Sequence, residues 1–161
     1  MQNAKDSFYM TLRNRLVAVN PERKLLLRGT MRPGILVEEA EAPLGQPLDD
    51  VFVLRWLGQA VDRNLDTVMV AEVCEIVYGS CGTQAFGGLD RGRLLSQMDE
   101  ELLDILSPPY TRKQAYSVIP PVTMLTDVFW TSPEFSPVVT LRDRLSRSTR
   151  TVVYSYQEMG E

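Results

Sequence analysis

Apolar residues recur with a helical period over residues 3–19 and again over residues 90–106. The first stretch has Asn3 as a candidate N-cap and Pro21 as a stop signal. The second has Asp90 at the N-cap position, and Leu89 and Leu94 at the spacing of a hydrophobic staple. The two apolar stripes consist of Ala4, Phe8, Leu12 and Leu16, and of Leu95, Met98, Leu102 and Leu106. Both stretches are therefore predicted to be amphipathic helices.

Between these helices the pattern is typical of strands. Segments 24–28 and 32–39 are predicted strands joined at Gly29, and Pro33 with Gly34 makes the start of the second an edge or a bulge. Segment 50–57 is a further strand, after a polar, Pro-rich loop at 42–47.

Segment 67–78 is the longest strand candidate, and it is apolar at both alternating sets of positions. This pattern predicts a central strand covered on each side. Glu72 and Glu75 interrupt the pattern, so we expect them where the strand projects past its cover. The Gly-rich segment 79–88 lacks the lysine of a phosphate-binding loop, which favours a flexible connection.

In the last third of the chain, residues 122–131 and 151–157 alternate as strands do. The mixed composition of 110–121 predicts irregular structure. Segment 132–150 is compatible with a helical turn, with a long arm or with an extended hairpin tip.

The predicted order of elements is helix, four strands, helix and two strands. This order indicates an α+β fold with a mainly antiparallel sheet, with the N-terminal and mid-chain helices packed on one face and with long polar loops or arms. No repeat or long linker divides the sequence, so residues 1–161 are predicted to form a single domain.

Composition excludes several kinds of chemistry. The chain has 161 residues, of which 44% are hydrophobic and 24% charged, as in soluble globular proteins. It contains no histidine, which excludes imidazole metal sites and nucleophile systems that use histidine. Cys74 and Cys81 are too few for a thiolate zinc site, and we expect both to be free thiols. The N-terminus does not resemble a signal peptide, and no stretch is apolar enough to span a membrane.

Other catalytic groups do not converge in the sequence. The acidic clusters at 38–41 and 99–101 are typical of solvated surfaces, and the lysines at 5, 24 and 113 lie in polar surroundings. We therefore expect no catalytic residues, no metal site and no cofactor, and predict that the protein is not an enzyme.

The charge is unevenly distributed along the chain. The net charge is −4, made up of +5 in residues 1–33, −10 in residues 34–109 and +1 in residues 110–161. Such segments are either solvated faces or complementary patches between neighbouring subunits. The candidate residues for such a subunit interface are Arg142, Arg144, Arg147, Glu72 and Glu75.

Four stretches carry a family resemblance: RPGILVEEAE at 32–41, LDRGRLLSQMDEELLDIL at 89–106, DVFWTSPEF at 127–135 and TVVYSYQEMGE at 151–161. Together with the N-terminal helix they resemble the tail terminator, or tail-completion, neck proteins of long-tailed phages and related tail-like particles. The likeness covers most of the chain as an order of elements. The long 132–150 segment and the glycine-rich 79–88 segment depart from it.

This resemblance implies a structural virion protein rather than a catalyst. Its subunits would form a homo-oligomeric ring, usually a hexamer, that caps the tail tube and offers a surface to the head-side connector. DNA would only pass through the lumen, no membrane would be involved, and assembly would take place in the host cytoplasm. The alternatives are a head–tail connector or minor tail protein and, from another class, a small-molecule-binding α+β domain. Oligomeric state distinguishes these classes.

Overall fold

The computed structural model describes residues 1–41, 48–63 and 66–161. The helices are α1 (Gln2–Val19), α2 (Glu38–Glu41) and α3 (Arg91–Ile105), and a 3-10 turn spans Gln84–Phe86. The strands are β1 (Lys24–Leu27), β2 (Thr30–Pro33), β3 (Ile35–Val37), β4 (Phe52–Asp62), β5 (Met69–Ser80), β6 (Tyr110–Ala115), β7 (Val122–Trp130), β8 (Glu134–Phe135), β9 (Val139–Leu141) and β10 (Arg144–Tyr156).

Eight of these strands form one curled sheet in the order β3-β4-β5-β10-β7-β6, with β8 and β9 also paired to β10. Only β3 and β4 are parallel, and the other pairs are antiparallel. The long β5 and β10 pair along their whole shared length, from Leu145 opposite Ser80 to Tyr156 opposite Met69. The predicted α+β fold with a mainly antiparallel sheet is confirmed.

The core lies between this sheet and the helices α1 and α3, which pack on one face. The predicted stripe of α1 is fully buried, as are Met98 and Leu102 of α3. Phe8 of α1 contacts two tryptophans edge-to-face, with ring centroids 5.8 Å from Trp56 and 5.0 Å from Trp130. Such contacts add to the stabilisation from apolar burial. Both predicted helices and their buried faces are confirmed.

The helix ends differ from the prediction. The N-cap of α1 is Met1 rather than Asn3, whose amide instead donates to the Glu161 carboxylate. Asp90 is at the N-cap of α3, but its carboxylate accepts hydrogen bonds from the Thr83 amide and hydroxyl and does not cap the helix. Leu89 is 87% exposed, so the predicted staple is absent. At the N-terminal end of α3, the hydrogen bonds between Asp90 and Thr83 of the preceding loop take the place of the predicted contact between Leu89 and Leu94.

The strand predictions near the N-terminus are partly wrong. The hairpin at Gly29 is confirmed, with Arg28 and Gly29 at φ of 50° and 80°, as a two-residue type I′ turn requires. Segment 32–39 is not one strand, because the chain breaks at Gly34 into β2, β3 and α2. A Cβ at Gly34 would lie 2.8 Å from the Cγ of Arg23, so only glycine fits there.

Two further segments form strands, and the sequence pattern had left one of them open. Residues 110–115, predicted to be irregular, form β6 because they pair with β7. Of the three alternatives for segment 132–150, the extended hairpin is correct, since β8 and β9 fold back on β10. The loop predicted at 42–47 lies outside the described residues.

Candidate assembly surfaces

The two faces of the central strands are covered differently. Cys74, Ile76 and Val153 point to the helices and are fully buried. Val73 and Val152, which pair across β5 and β10, point to the opposite face and are only half-buried. In the described part of the chain, no helix packs on this opposite face of β5, β10 and β7. The prediction that the central strand is covered on each side is therefore wrong within one chain, because α1 and α3 occupy the same face.

We call this opposite surface the open face. It is apolar on either side of a charged row through Glu75, and two aromatic rings extend it: Phe129 and Tyr154 stack with centroids 5.7 Å apart. The solvent face of an antiparallel sheet is usually polar, and an exposed apolar patch commonly marks an interaction site. The half-buried members of the open face are Val73, Val77, Phe129, Val152 and Tyr154.

Glu75 lies on the open face within a row of alternating charges. Its carboxylate is 3.0 Å from Arg150 and 3.5 Å from Arg55, and Arg55 also binds Glu38 at 2.8 Å. Glu72 lies on the helix-covered face, where its carboxylate is 3.7 Å from the Lys5 ammonium. Both predicted acidic interface residues therefore have cationic partners inside the chain, and neither projects past the end of its cover.

Two of the three predicted arginines also have partners within the chain. Arg144 binds the Asp49 carboxylate at 2.7 Å and the Leu48 carbonyl at 2.9 Å. Arg147 lies 3.2 Å from the Asp99 carboxylate and donates to the Ser136 carbonyl at 2.8 Å. Arg142 is exposed in the turn before β10. Of the five predicted interface residues, it is the one without a partner among residues 1–41, 48–63 and 66–161.

The two edges of the sheet also differ. At the β6 edge, Ser7 of α1 bonds to both the amide and the carbonyl of Gln114, and Arg15 donates to the Tyr110 carbonyl at 3.1 Å. At the other edge, β3 pairs with β4 only over 52–54. Leu57 and Val61, further along β4, are exposed. One edge is thus covered by α1, and the other has no strand partner over much of β4 among the described residues.

A cavity of about 400 Å³ lies between the C-terminal end of α1 and the β1–β2 hairpin. Its apolar lining is provided by Val17, Pro21, Met31 and Pro33, and Lys24 is among its basic residues. Two arginines line the cavity as well, but each is held by an ion pair, Arg23 with Glu101 and Arg32 with Glu41. We call this feature the α1 cavity.

An apolar projection lies at the opposite end of α1. It is the turn between β6 and β7, which follows the part of β6 bonded to Ser7. Ile119 in this turn is 97% exposed, and Val118 and Val122 are also exposed. We call residues 118–122 the β6–β7 projection.

Lys113 is a site that the sequence analysis missed. Its side chain is 1% exposed rather than solvated, and its ammonium donates to the Tyr156 carbonyl at 2.7 Å and to Glu161 at 2.8 Å. Glu158 lies 3.6 Å away. The prediction of polar surroundings is correct, but the lysine is buried among those groups. The sequence held no signal for this cluster, because its members come from distant segments.

Glu158 also accepts hydrogen bonds from the backbone of β7. Burial by itself raises the pKa of this carboxyl group, but the amides of Thr126 and Leu125, the Thr126 hydroxyl and the Lys113 charge outweigh it and lower the pKa to about 2. The cluster therefore fixes residues 157–161 against β6 and β7 while Glu158 is ionised.

The cysteines and the candidate metal ligands are the remaining chemical groups of the described residues. Both cysteines are free. Burial raises the pKa of Cys74, and desolvation followed by the Asp49 carboxylate raises that of Cys81, so neither is an activated thiolate. Within these same residues, no cluster of three or more acidic, cysteine or histidine side chains is placed to bind a metal ion. None of the described helices is long and apolar enough to cross a membrane.

The comparisons with known proteins give no relative. No protein-family model matches the chain, and no significant match to a curated protein was found.

Proposed function

We propose that this protein is a structural subunit of a phage tail or tail-like particle, a ring-forming tail terminator that caps the tail tube and joins it to the head-side connector. The open face is the observation that carries this proposal. It gives an otherwise well-packed domain an apolar surface with no intramolecular partner in the described chain. The order of elements in the family resemblance supports the same function.

The apolar character of the open face favours protein partners. Valines at its centre and the Phe129–Tyr154 stack give the face little polar surface to bind water, apart from the Glu75 row. Its charges are already paired in that row, so the face can be covered without leaving an unpaired buried charge. We infer that neighbouring subunits of the ring cover it.

A ring requires two different lateral surfaces on each subunit, since its contacts run head to tail. The sheet edges and the two ends of α1 provide surfaces that differ from each other. The net charge of −4 suits a lumen through which DNA passes without being held. A virion location and assembly in the host cytoplasm belong to this proposal.

Electron microscopy of the purified protein tests the proposal. Negatively stained samples at high concentration should contain closed rings with a central lumen, and the measured mass should correspond to a hexamer. A monomer or dimer at every concentration would contradict the ring. A head–tail connector or minor tail protein would form a ring of another size, or would join only rings built by other proteins.

A variant pair tests the role of the open face. Val152→Glu places a charge at its centre, whereas Leu89→Glu places the same charge at an exposed leucine outside it. We expect Val152→Glu to lose assembly while it keeps its circular dichroism spectrum, and Leu89→Glu to assemble normally. Equal assembly of both variants would remove the open face from the proposal.

A small-molecule-binding domain is the second candidate function, because the α1 cavity has the size and the apolar lining of a ligand pocket. A protein of this class should stay a monomer or dimer. It should also show a thermal shift with amphipathic anions, because the cavity carries basic groups.

A further inference from the structure

We propose that the β6–β7 projection of one subunit inserts into the α1 cavity of the next subunit and, together with cover of the open face, holds neighbouring subunits of the ring together. This inference rests on the proposed function and specifies its contact. The occupant is a second copy of this chain, through residues 118–122. The two partner surfaces lie at opposite ends of α1, which has 18 residues and is about 27 Å long.

The cavity fits an apolar occupant. Val17 and Met31 remain exposed at its walls although both are large apolar residues. Leu26, opposite Met31 in the hairpin, is exposed as well and extends the apolar rim. The nearby Arg23 and Arg32 are neutralised by Glu101 and Glu41. An inserted aliphatic side chain would therefore bury apolar surface without desolvating an unpaired arginine.

The projection fits an apolar cavity. Ile119 at its tip has almost no contact with its own chain, and Pro120 and Pro121 follow it directly. Two prolines restrict the backbone of the turn, which lowers the conformational entropy lost on binding. An isoleucine on a rigid turn is a suitable anchor for a hydrophobic contact.

Pairing of sheet edges cannot form this head-to-tail contact. It would have to join the open β4 edge of one copy to the β6 edge of the next. Ser7 and Arg15 of α1 already bond to the backbone of β6, so that edge is occupied. The projection and the cavity remain as a pair of unlike surfaces on opposite sides of the subunit.

Charge favours the same orientation. Lys24 lines the cavity and has no ion-pair partner among the described residues. Asp6 of α1 lies near the projection, where its charge contributes, after desolvation, to a raised pKa of Tyr116. Insertion brings the Asp6 end of one copy towards the Lys24 end of the next. Lys24 and Asp6 are opposite in charge, so this pair favours the contact.

Complementation between two variants tests the contact. Ile119→Asp removes the projection and leaves the cavity intact, whereas Met31→Asp alters the cavity and leaves the projection intact. Each variant alone should be monomeric under conditions where the wild type forms rings, with association weakened by about tenfold or more. A 1:1 mixture should form heterodimers, because the intact cavity of Ile119→Asp can bind the intact projection of Met31→Asp. These dimers should grow no further, because their other projection and cavity are altered.

Controls make each outcome decisive. Leu89→Asp should form rings as the wild type does, and circular dichroism should show all variants folded. If Met31→Asp unfolds, Lys24→Glu replaces it as the cavity variant. An Ile119→Cys and Met31→Cys double variant should form oxidised cross-links between copies beyond any that the wild type forms when it is treated in parallel.

Three results would overturn the inference. If Ile119→Asp still forms rings, the lateral contact lies elsewhere and the ring proposal stands. If both variants are monomeric but their mixture gives no dimer, the cavity has another occupant. If the wild type itself forms no oligomer at any concentration, both the contact and the proposed function fail.

Discussion

The two faces of the central sheet have similar residues and different surroundings. Cys74, Ile76 and Val153 are fully buried under α1 and α3. Val73 and Val152, one position away along the same strands, have no helix over them in the part of the chain that the structure describes. The difference shows that an apolar strand face can serve either the fold or an interaction. Here the two long helices of the described chain complete one face, and we propose that other subunits complete the second.

The largest expected effect is on the covered face. Leu102→Ala should lower the free energy of unfolding by about 2–5 kcal/mol, because the side chain is fully buried between α3 and the sheet. Urea denaturation measures the change. Stability close to that of the wild type would mean that α3 does not support the core.

The next effect concerns the Lys113 cluster, which joins the last residues of the chain to β6 and β7. Glu158→Gln should cost about 1.5–3 kcal/mol near neutral pH, because several hydrogen bonds to a charged group are weakened. The exposed Glu100→Gln is the matched control and should leave stability almost unchanged.

The same variant should change the pH dependence of stability. The pKa of Glu158 is about 2 in the folded chain against an ordinary value of 4.5, so its ionised form stabilises the fold. That stabilisation is complete above about pH 4.5 and is lost as the pH falls towards 2. Melting temperatures between these limits should fall less steeply in Glu158→Gln than in the wild type. If the melting temperatures of the two proteins fall in parallel as the pH is lowered, the lowered pKa of Glu158 is wrong.

Two adjacent valines allow a direct comparison of the faces. Val153→Ala removes fully buried methyl groups and should cost about 1.5–2.5 kcal/mol, whereas Val152→Ala on the open face should cost less than about 1 kcal/mol. Denaturation of the isolated subunit measures both. Equal losses would show that the open face is packed within the chain.

The smallest expected effect is at Arg142. Arg142→Glu should change subunit stability by less than about 0.5 kcal/mol, because this side chain has no partner in the described chain. Any effect on assembly should be about 0–1 kcal/mol per contact and should weaken with added salt. Light scattering at low and high salt detects it.

Arg144 and Arg147 are less suitable for that test. A triple Arg→Glu variant would also break their ion pairs with Asp49 and Asp99. Loss of assembly in the triple variant therefore counts as an interface effect only if its melting transition is unchanged.

The spacing of apolar residues in the sequence correctly predicted those helices and strands that bury an apolar stripe. Both long helices and strands such as β7 followed from periodicity, because the spacing of their apolar residues matches their geometry. Segment 110–115 has no such pattern, and it forms β6 through pairing with β7 and bonding to α1. Strand pairing between distant segments leaves little trace in a single sequence.

The candidate surfaces were less predictable than the fold. Charge clustering identified Arg144 and Arg147, yet their acidic partners belong to the same chain. The pattern of 67–78 did reveal two apolar faces, but it could not show which face the helices leave open. Lys113 was missed because its carboxylate partners follow it by more than forty residues.

Hydroxyl-radical footprinting of the open face tests the central claim most directly. Tyr154 and Phe129 should be modified readily in the dilute subunit and much more slowly after assembly at high concentration, because another molecule then covers them. Tyr78, whose side chain is buried under α3, is the internal control and should react slowly in both states. Equal modification of Tyr154 and Phe129 before and after assembly would contradict the proposed role of the open face.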